Sequence, residues 1–377
     1  MLRVFNPEHD IVLASEQRYT TPHTVRQLRA DLDFLPALWA HAGDTILVEQ
    51  PDKALTQYQH ICALTHLDVQ PLHFITQQML HEKHVGWNGS VFGSFDVWGM
   101  DRMILEQVTG EKLLNTDIRQ QLAIIRQLSS RQWCAEHLQL GVSYISDIHL
   151  LQTKIMKMHQ CVLKSPWSCT GRGIRYIDLK DRTLFLKDSF EKSPIGHWAM
   201  HIISRQGGIL VEPYYKKIMD VGIEYYIDED GKIREEGLSL FHTVKGAYSG
   251  NLLASEGEKE ERVLRYVDNE RWQYFKKELK DKIQRALRHC YRGPLGVDLM
   301  IVPLNRKERD NHKEGNSQEI DIVVAEMNLR RTMGHVALAL TRTQSSARQL
   351  MRVSYDGHHY HLQVNDLQGE VEEATWK

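Results

Sequence analysis

A mixed α/β fold is predicted, with an N-terminal α/β domain followed by a region of mostly antiparallel strands. Residues 1–125 alternate short apolar strands with helical stretches, a rhythm that is typical of βαβ units and a parallel sheet. From about residue 126 the strands alternate apolar and polar positions, as antiparallel sheets do. A chain of 377 residues has room for two or three domains.

The first elements are the strand LRVF, a helix near residues 22–41, the strand TILVEQ and a helix near residues 53–66. No G-x-G-x-x-G follows the first strand, so a dinucleotide site there is disfavoured. A helix is then predicted near residues 118–140, ending at Gly141 as its C-cap.

The strands predicted after this helix are CVLKS, IRYIDL, GILVEPYY, VGIEYYID, GLSLFHTV, GVDLMIV and EIDIVVAEMN. An Asp-Gly turn in residues 228–233 joins two of them, and a polar helix near residues 259–291 precedes the last two. The charged segment 305–318 between those two strands is predicted to be a mobile hairpin loop, and its role is left open.

Charge and composition exclude several classes of partner. The 47 basic and 49 acidic residues give a net charge of -2, so no overall field would gather nucleic acid or an anionic membrane. No stretch approaches the ~20 apolar residues of a membrane span, and the N-terminus does not resemble a signal peptide. The five cysteines are widely separated, which favours reduced thiols and a cytoplasmic protein.

The segment VLKSPWSCTGRGIRYI, residues 162–177, indicates a phosphate site. Lys164 ends an apolar strand, and the turn after it is rich in glycine and hydroxyl groups. Glycines let a backbone approach phosphate, and free N–H groups donate to its oxygens. A plain hairpin with a lysine at its rim explains this segment equally well. The donors of the turn are Ser165, Ser168, Thr170, Gly171, Arg172 and Gly173.

Three oxygen ligands are predicted to meet on the last two strands. Asp298 lies inside GVDLMIV, while Glu326 and Asn328 are two residues apart and therefore share one face of the next strand. Such hard ligands suit a Mg²⁺ ion that substrate phosphates also hold. The alternative is a polar outer face of the sheet, but a carboxylate among apolar residues is costly unless it is paired or metal-bound.

The order of these features resembles the ATP-grasp superfamily over residues 126–340: a lysine before a glycine-rich turn, a strand ending in Glu-Pro, a distant Asp and then E-x-N-x-R. Residues 1–125 resemble the α/β domain that usually precedes this fold. The resemblance implies a two-lobed ATP-grasp domain over 126–377. Its first lobe, 126–215, would carry a glycine-rich lid, and its second lobe, 216–377, the metal-binding strands.

The resemblance also implies how ATP is bound. Lys164 would reach the phosphates beneath a lid formed by residues 165–173. Glu212, with the backbone of Pro213 and Tyr215, would read the adenine edge. Asp220 would bind the ribose hydroxyls, and Glu224 is a poorer candidate for the same role.

Two arginines belong to the same resemblance. Family members usually carry a lysine at the head of a helix some 30 to 50 residues before the loop lysine, and here Arg131 stands 33 residues before Lys164. An arginine can hold phosphate bidentately, although a solvated helix arginine is the alternative. Arg330 matches the arginine that faces the transferring phosphoryl group. Asp298, Glu326 and Asn328 match the magnesium ligands.

The sequence says less about the residues that bind the substrates. Lys245 follows the strand GLSLFHTV and would touch the γ-phosphate or substrate, with a solvated loop lysine as an equal alternative. Arg331 would assist Arg330 or point to the opposite face. In the first domain, NPEHD follows strand one, where α/β folds bind ligands, although turn or helix capping explains its polar residues too.

The resemblance implies an ADP-forming ligase that uses ATP and Mg²⁺ to activate a carboxylate as an acyl phosphate and couple it to an amine. Small carboxylate and amine substrates are the expected partners, with no nucleic acid and no membrane. A small-molecule kinase of the same fold and a non-catalytic ATP-binding protein are the alternatives. The two molecules that are joined and the oligomeric state, a homodimer included, stay open.

Overall fold

The computed structural model describes residues 1–15, 20–82, 95–109, 116–168, 173–179, 190–244, 247–303, 320–341 and 348–367. The charged segment 305–318, the centre of the glycine-rich turn with Thr170, Gly171 and Arg172, and Lys245 lie outside these residues. No helix in the described part of the chain has both the length and the apolar character that crossing a membrane requires.

The N-terminal sheet is parallel, as predicted. Its described strands lie in the order β3-β2-β1-β4, so β1 has the second strand on one side and the fourth on the other. Because the sheet continues from β1 first in one direction and later in the other, a crevice forms beside the carboxyl end of β1. This is the usual ligand position in such sheets. The strands are β1 (Leu2–Val4), β2 (Thr45–Leu47), β3 (His73–Ile75) and β4 (Phe95–Val97). The helices are α1 (His9–Ala14), α2 (His23–Leu32), α3 (Pro51–Thr65), α4 (Gln77–Glu82) and α5 (Arg102–Thr109).

The helix predicted near residues 118–140 is two helices, α6 (Thr116–Leu128) and α7 (Arg131–His137). The prediction of one helix is therefore wrong. Ser130 separates them because its hydroxyl accepts a hydrogen bond from the backbone N–H of Gln132 and caps α7, as serine favours at an N-cap. The break places Arg131 at the first position of α7.

The middle sheet is antiparallel, with described strands in the order β5-β8-β6-β7. Two helices pack on one face of it through Leu151, Ile155, Leu163, Ala199 and Val211. The strands are β5 (Ser143–Ile145), β6 (Gln160–Lys164), β7 (Ile174–Asp178) and β8 (Ile209–Pro213). The helices are α8 (Ile148–Met158) and α9 (Pro194–Gln206).

The large sheet is also antiparallel, with described strands in the order β13-β12-β9-β10-β11-β14-β15. The predicted Asp-Gly turn joins β9 to β10, with Gly231 at a φ of 77° that favours glycine. The strands are β9 (Met219–Ile227), β10 (Ile233–Val244), β11 (Ala247–Leu253), β12 (Gly293–Pro303), β13 (Ile320–Asn328), β14 (Gln349–Tyr355) and β15 (Tyr360–Asp366). The helices are α10 (Glu256–Leu264), α11 (Asn269–Leu287) and α12 (Met333–Leu340).

One hydrophobic core joins the N-terminal sheet to the large sheet. Phe5 and Trp39 from the first part of the chain pack in the same cluster as Val336 of α12 and Met351 and Leu362 of the last two strands. The C-terminal hairpin therefore closes back on the start of the chain. This shared core packs the residue after β1 against α12 and the C-terminal hairpin.

Candidate nucleotide and magnesium site

A cleft of about 960 Å³ lies between the middle sheet and the large sheet. The middle sheet contributes β6, β7 and the end of β8, and the large sheet contributes β9, β10, β12 and β13. The structure brings together in this one cleft seven residues that the sequence predicts for ATP or magnesium: Lys164, Glu212, Pro213, Tyr215, Asp220, Asp298 and Glu326.

Lys164 links the two sheets. Its Nζ lies 2.7 Å from Oε2 of Glu212 and donates to the carbonyl of Ala325, 3.2 Å away on β13. Both side chains are more than nine-tenths buried, yet both line the cleft. In the described part of the chain, Oε1 of Glu212 has no hydrogen-bond partner. A ligand in the cleft would therefore meet a buried cation and a carboxylate oxygen that can still accept a hydrogen bond.

The predicted metal ligands meet as the strand periodicity requires. Asp298 of β12 lies directly opposite Glu326 of β13, and a bulge follows at Leu299. Asn328 donates from Nδ2 to Oδ2 of Asp298 over 3.0 Å. Bulges re-aim side chains at functional sites. Two carboxylates and an amide thus lie together at one end of the cleft.

The charge at this point favours a cation. Burial, together with the negative charges of Glu326 and Glu224, raises the pKa of Asp298 to about 8. No group of three His, Cys, Asp or Glu side chains suited to a metal occurs among the described residues. Two carboxylates and one amide nevertheless fit Mg²⁺, which is usually held by one or two carboxylates, waters and substrate phosphates.

Arg131 is buried and spans the two sides of the cleft, so the solvated-helix alternative is wrong. One guanidinium nitrogen donates to the carbonyl of Ser165 over 2.9 Å and to Oγ of Ser168 over 2.8 Å. The other terminal nitrogen lies 2.8 Å from Oε1 of Glu326. Arg131 therefore ties the first residues of the glycine-rich turn to a candidate metal ligand.

The described ends of that turn are closed against each other. The backbone N–H of Ser165 donates to the carbonyl of Gly173 over 2.9 Å. A Cβ on Gly173 would overlap the side chains of Ser165 and Ser168, so only glycine fits there. Close packing is thus the reason for a glycine at this position.

Asp220 lies at the other end of the cleft. Its Oδ2 accepts a 3.0 Å hydrogen bond from Thr243 and also contacts Nζ of Lys217. Glu224 lies further along the same face of β9 and outside the cleft lining, where its Oε2 accepts a hydrogen bond from the hydroxyl of Thr332 over 2.9 Å and lies 3.0 Å from Nδ1 of His335. The choice of Asp220 over Glu224 as the ribose candidate stays a prediction.

Sequence reasoning missed the aromatic and apolar walls of the cleft. Tyr176 of β7 and Tyr214 after β8 form an edge-to-face pair with ring centroids 6.2 Å apart. Both rings are about half exposed and line the cleft. The alternation of polar and apolar residues in IRYID was the sequence feature that could have indicated the position of Tyr176 on one face of β7. The apolar lining consists of Val162, Ile174, Ile177, Phe241, Leu299 and Met300.

The two adjacent arginines diverge. Arg330 donates from a terminal nitrogen to Oδ1 of Asn328 over 3.0 Å, which keeps its guanidinium beside the metal candidates. Arg331 instead pairs with Asp96 at 2.9 Å and lies over the ring of Trp39. Arg331 is therefore not brought to the cleft, and its expected assistance to Arg330 is not supported by its position.

Comparisons with known proteins find similarity among solved structures alone. No protein-family model matches the chain, and no curated protein matches its sequence. Among solved structures, the chain is similar to N5-carboxyaminoimidazole synthetase from Staphylococcus aureus complexed with ADP, at 10% identity and a TM-score of 0.44. This match covers 94% of this chain and 82% of that one.

Two further structures are similar over most of their length. Biotin carboxylase from Campylobacter jejuni, solved with an ATP complex, matches at 11% identity and a TM-score of 0.45, covering 95% of this chain and 77% of that one. A protein from Archaeoglobus fulgidus, whose description places it in the ATP-grasp superfamily, matches at 13% identity and a TM-score of 0.43, covering 97% and 99% of the two chains.

Proposed function

We propose that this protein is an ATP-dependent, ADP-forming ligase that activates a substrate carboxylate as an acyl phosphate and couples it to an amine. The observation that carries the proposal is one cleft that holds Lys164 at one wall and the Asp298–Glu326 pair at the other. We also propose the division of the chain into an α/β domain at 1–125 and two lobes at 126–215 and 216–377, with the cleft between the lobes.

Each side of the cleft has a distinct role in this proposal. Lys164 binds phosphate oxygens, and Oε1 of Glu212 with the backbone of Pro213 and Tyr215 binds the adenine edge. Asp220 accepts hydrogen bonds from the ribose hydroxyls. Arg131, already held by the glycine-rich turn, has a guanidinium that can share a phosphate with Lys164.

Asp298, Glu326 and Asn328 would hold Mg²⁺, and a cation there would supply positive charge to neutralise the triphosphate and polarise the phosphoryl oxygens. The substrate carboxylate oxygen attacks the γ-phosphorus, and the bond to the ADP oxygen breaks. The amine nitrogen then attacks the acyl carbon, phosphate leaves and the amine proton is released. Arg330 stabilises the charge of the transferring group, a role whose loss typically costs ~2.7 to 4 kcal/mol of barrier.

A small-molecule kinase with the same cleft is the second candidate, since it would use the same nucleotide groups and stop at the phosphorylated substrate. Product analysis separates the two. A screen of amino acids and short peptides, each carboxylate paired with each amine, should release ADP and free phosphate only when both substrates are present. Phosphate that stays on one substrate would instead show a kinase.

Proton release on binding of Mg·ADP is a specific expectation for Asp298. At pH 7 its raised pKa of about 8 keeps this carboxyl largely protonated, and a bound cation lowers that pKa, so up to about one proton should be released. The release should decline as the pH rises through 8. Without the cation, stability should fall as the pH rises from about 4 toward 8, because the native state keeps a proton that the unfolded chain has lost.

Calorimetric titrations in buffers of different ionisation enthalpy measure this release. Asp298→Asn is the matched control and should release no proton at this step. Equal heats in all buffers at pH 7 for the wild-type protein, with Mg·ADP bound, would contradict the assignment of Asp298 as the protonated metal ligand.

A further inference from the structure

We propose that Asp10, from the N-terminal part of the chain, is a positioning residue that fixes the guanidinium of Arg330 at the phosphoryl-transfer site. The inference rests on the proposed function of Arg330. It assigns to the α/β domain a direct part in the chemistry, because the arginine of the large sheet is correctly placed only when the first domain is docked.

The contacts of Arg330 leave its guanidinium little freedom. Nε and one terminal nitrogen both donate to Oδ2 of Asp10, at 2.9 and 2.8 Å. That terminal nitrogen also reaches Asn328, and the second terminal nitrogen donates to the carbonyl of Arg331 over 2.9 Å. Every guanidinium nitrogen is thus engaged, and the sole carboxylate among these partners comes from Asp10, 320 residues earlier in the chain.

The start of α1, which carries Asp10, is held by a buried network at the carboxyl ends of β1 and β4. Asn6 donates from Nδ2 to the carbonyl of Gly99 over 2.8 Å and to Asp101 over 2.9 Å. Nδ1 of His9 lies 3.2 Å from the same carboxylate of Asp101. A Cβ on Gly99 would overlap the ring of His9, so the two loops fit against each other closely.

The polar residues of NPEHD therefore have different partners. Asn6 is almost completely buried in this network, and Glu8 pairs with Arg29 of α2. Asp10 faces the large sheet instead. The sequence suggested that this segment binds a ligand. Its contacts indicate instead that it positions Arg330, which in our proposal binds the ligand.

Arg331 also attaches the segment after β13 to the N-terminal part of the chain. The backbone N–H of Arg331 donates to the carbonyl of Trp98 over 2.8 Å, and its side chain pairs with Asp96. The segment after β13 is thus bound by α1 through Asp10 and by β4 and its following loop through Asp96 and Trp98. Arg331, predicted as a catalytic residue, contributes by anchoring this segment.

The ion pair persists at neutral pH. Burial is the largest single influence and raises the pKa of Asp10, but the charge and hydrogen bond of Arg330, together with His9 and Arg131, bring that pKa below its ordinary value. The carboxylate charge is then available to orient the arginine throughout the range in which the protein would work.

Asp10→Asn keeps the shape of the side chain and removes its charge. We expect kcat to fall about 10²-fold with little change in KM for Mg·ATP, since misplacement of a catalytic group by about 1 Å has effects of this size. In an Arg330→Ala background the same change should have little further effect. A full effect of Asp10→Asn on top of Arg330→Ala would overturn the proposal.

Asp31→Asn is the matched control. Asp31 is also a buried aspartate of the N-terminal part that reaches the large sheet, since Oδ2 accepts the backbone N–H of Tyr360 over 2.8 Å. It contacts β15 and is not among the residues that line the cleft. We expect Asp31→Asn to lower the melting temperature and leave kcat near the wild-type value.

A second readout needs no substrate and separates this proposal from the proposed function. The Nε–H signal of Arg330 in ¹⁵N spectra, assigned with Arg330→Lys, should exchange slowly with water in the wild type. It should exchange much faster in Asp10→Ala and stay slow in Asp31→Asn. Rapid exchange in the wild type would overturn the positioning role, whereas slow exchange in a protein that never turns over ATP would leave the role standing and refute the ligase.

Discussion

Glu326→Gln is expected to abolish magnesium-dependent ATP turnover, with a loss on the order of 10³-fold or more, because a bound cation supplies several kcal/mol of charge stabilisation. Glu326 lies opposite Asp298 across the β12–β13 pair, so glutamine removes one of the two carboxylates that would hold the cation. Its size is conserved, and an amide oxygen can still accept the hydrogen bond from Arg131. The loss should therefore appear in ADP release at saturating Mg²⁺ rather than in the folding of the protein.

Asp321→Asn is the control for Glu326→Gln. Asp321 is an acidic residue of the same strand, exposed and paired with Arg271 at 2.7 Å, away from the cleft lining. Its replacement should leave turnover within a factor of about two, because exposed ion pairs contribute little. Circular dichroism and the melting temperature establish that both variants fold. An unchanged rate in a folded Glu326→Gln variant would refute the metal assignment.

Lys164→Ala is expected to weaken ATP binding by about 10- to 100-fold, as expected for the loss of a charge-assisted hydrogen bond of ~1.5–3 kcal/mol. The structure adds a second effect. Glu212 loses its cation at 2.7 Å and stays almost fully buried, and breaking such a pair by removing one partner costs about 3–5 kcal/mol of stability.

The two effects of Lys164→Ala can be separated. Adding Glu212→Gln removes the unpaired buried charge, so the double variant should recover much of the stability without recovering ATP affinity. Lys157→Ala, an exposed lysine on α8 of the same sheet layer, should change neither quantity. ATP affinity is measured by calorimetry and stability by urea unfolding. Wild-type affinity in Lys164→Ala would mean that the lysine does not bind phosphate.

The residues of the cleft that sequence predicts best are those whose position follows from strand periodicity. Asp298, Glu326 and Asn328 meet because alternate residues of paired strands share a face, and the pairing of β12 with β13 was predictable from their adjacency in sequence. Lys164 was predictable because it ends an apolar strand immediately before a glycine-rich turn.

The contacts that sequence could not predict join elements far apart in the chain. The partner of Lys164 depends on the pairing of β6 with β8, two strands separated by another strand and a helix. The Asp10–Arg330 pair depends on how the N-terminal sheet packs on the large one, through a core whose members come from both ends of the chain. Neither periodicity nor local composition contains that information. The break at Ser130 was readable in principle, since serine at this point is a cap signal.

The central claim is that a buried lysine and an oxygen-ligand set on opposite walls of one cleft bind the same Mg·ATP. Calorimetric titration of the wild-type protein with ATP, once with Mg²⁺ and once with a chelator, tests it most directly. One ATP per chain, bound markedly more tightly with Mg²⁺ and displaced by ADP, is the predicted result. A folded protein that takes up no ATP in the presence of Mg²⁺, or binds it equally well without the cation, would contradict the claim.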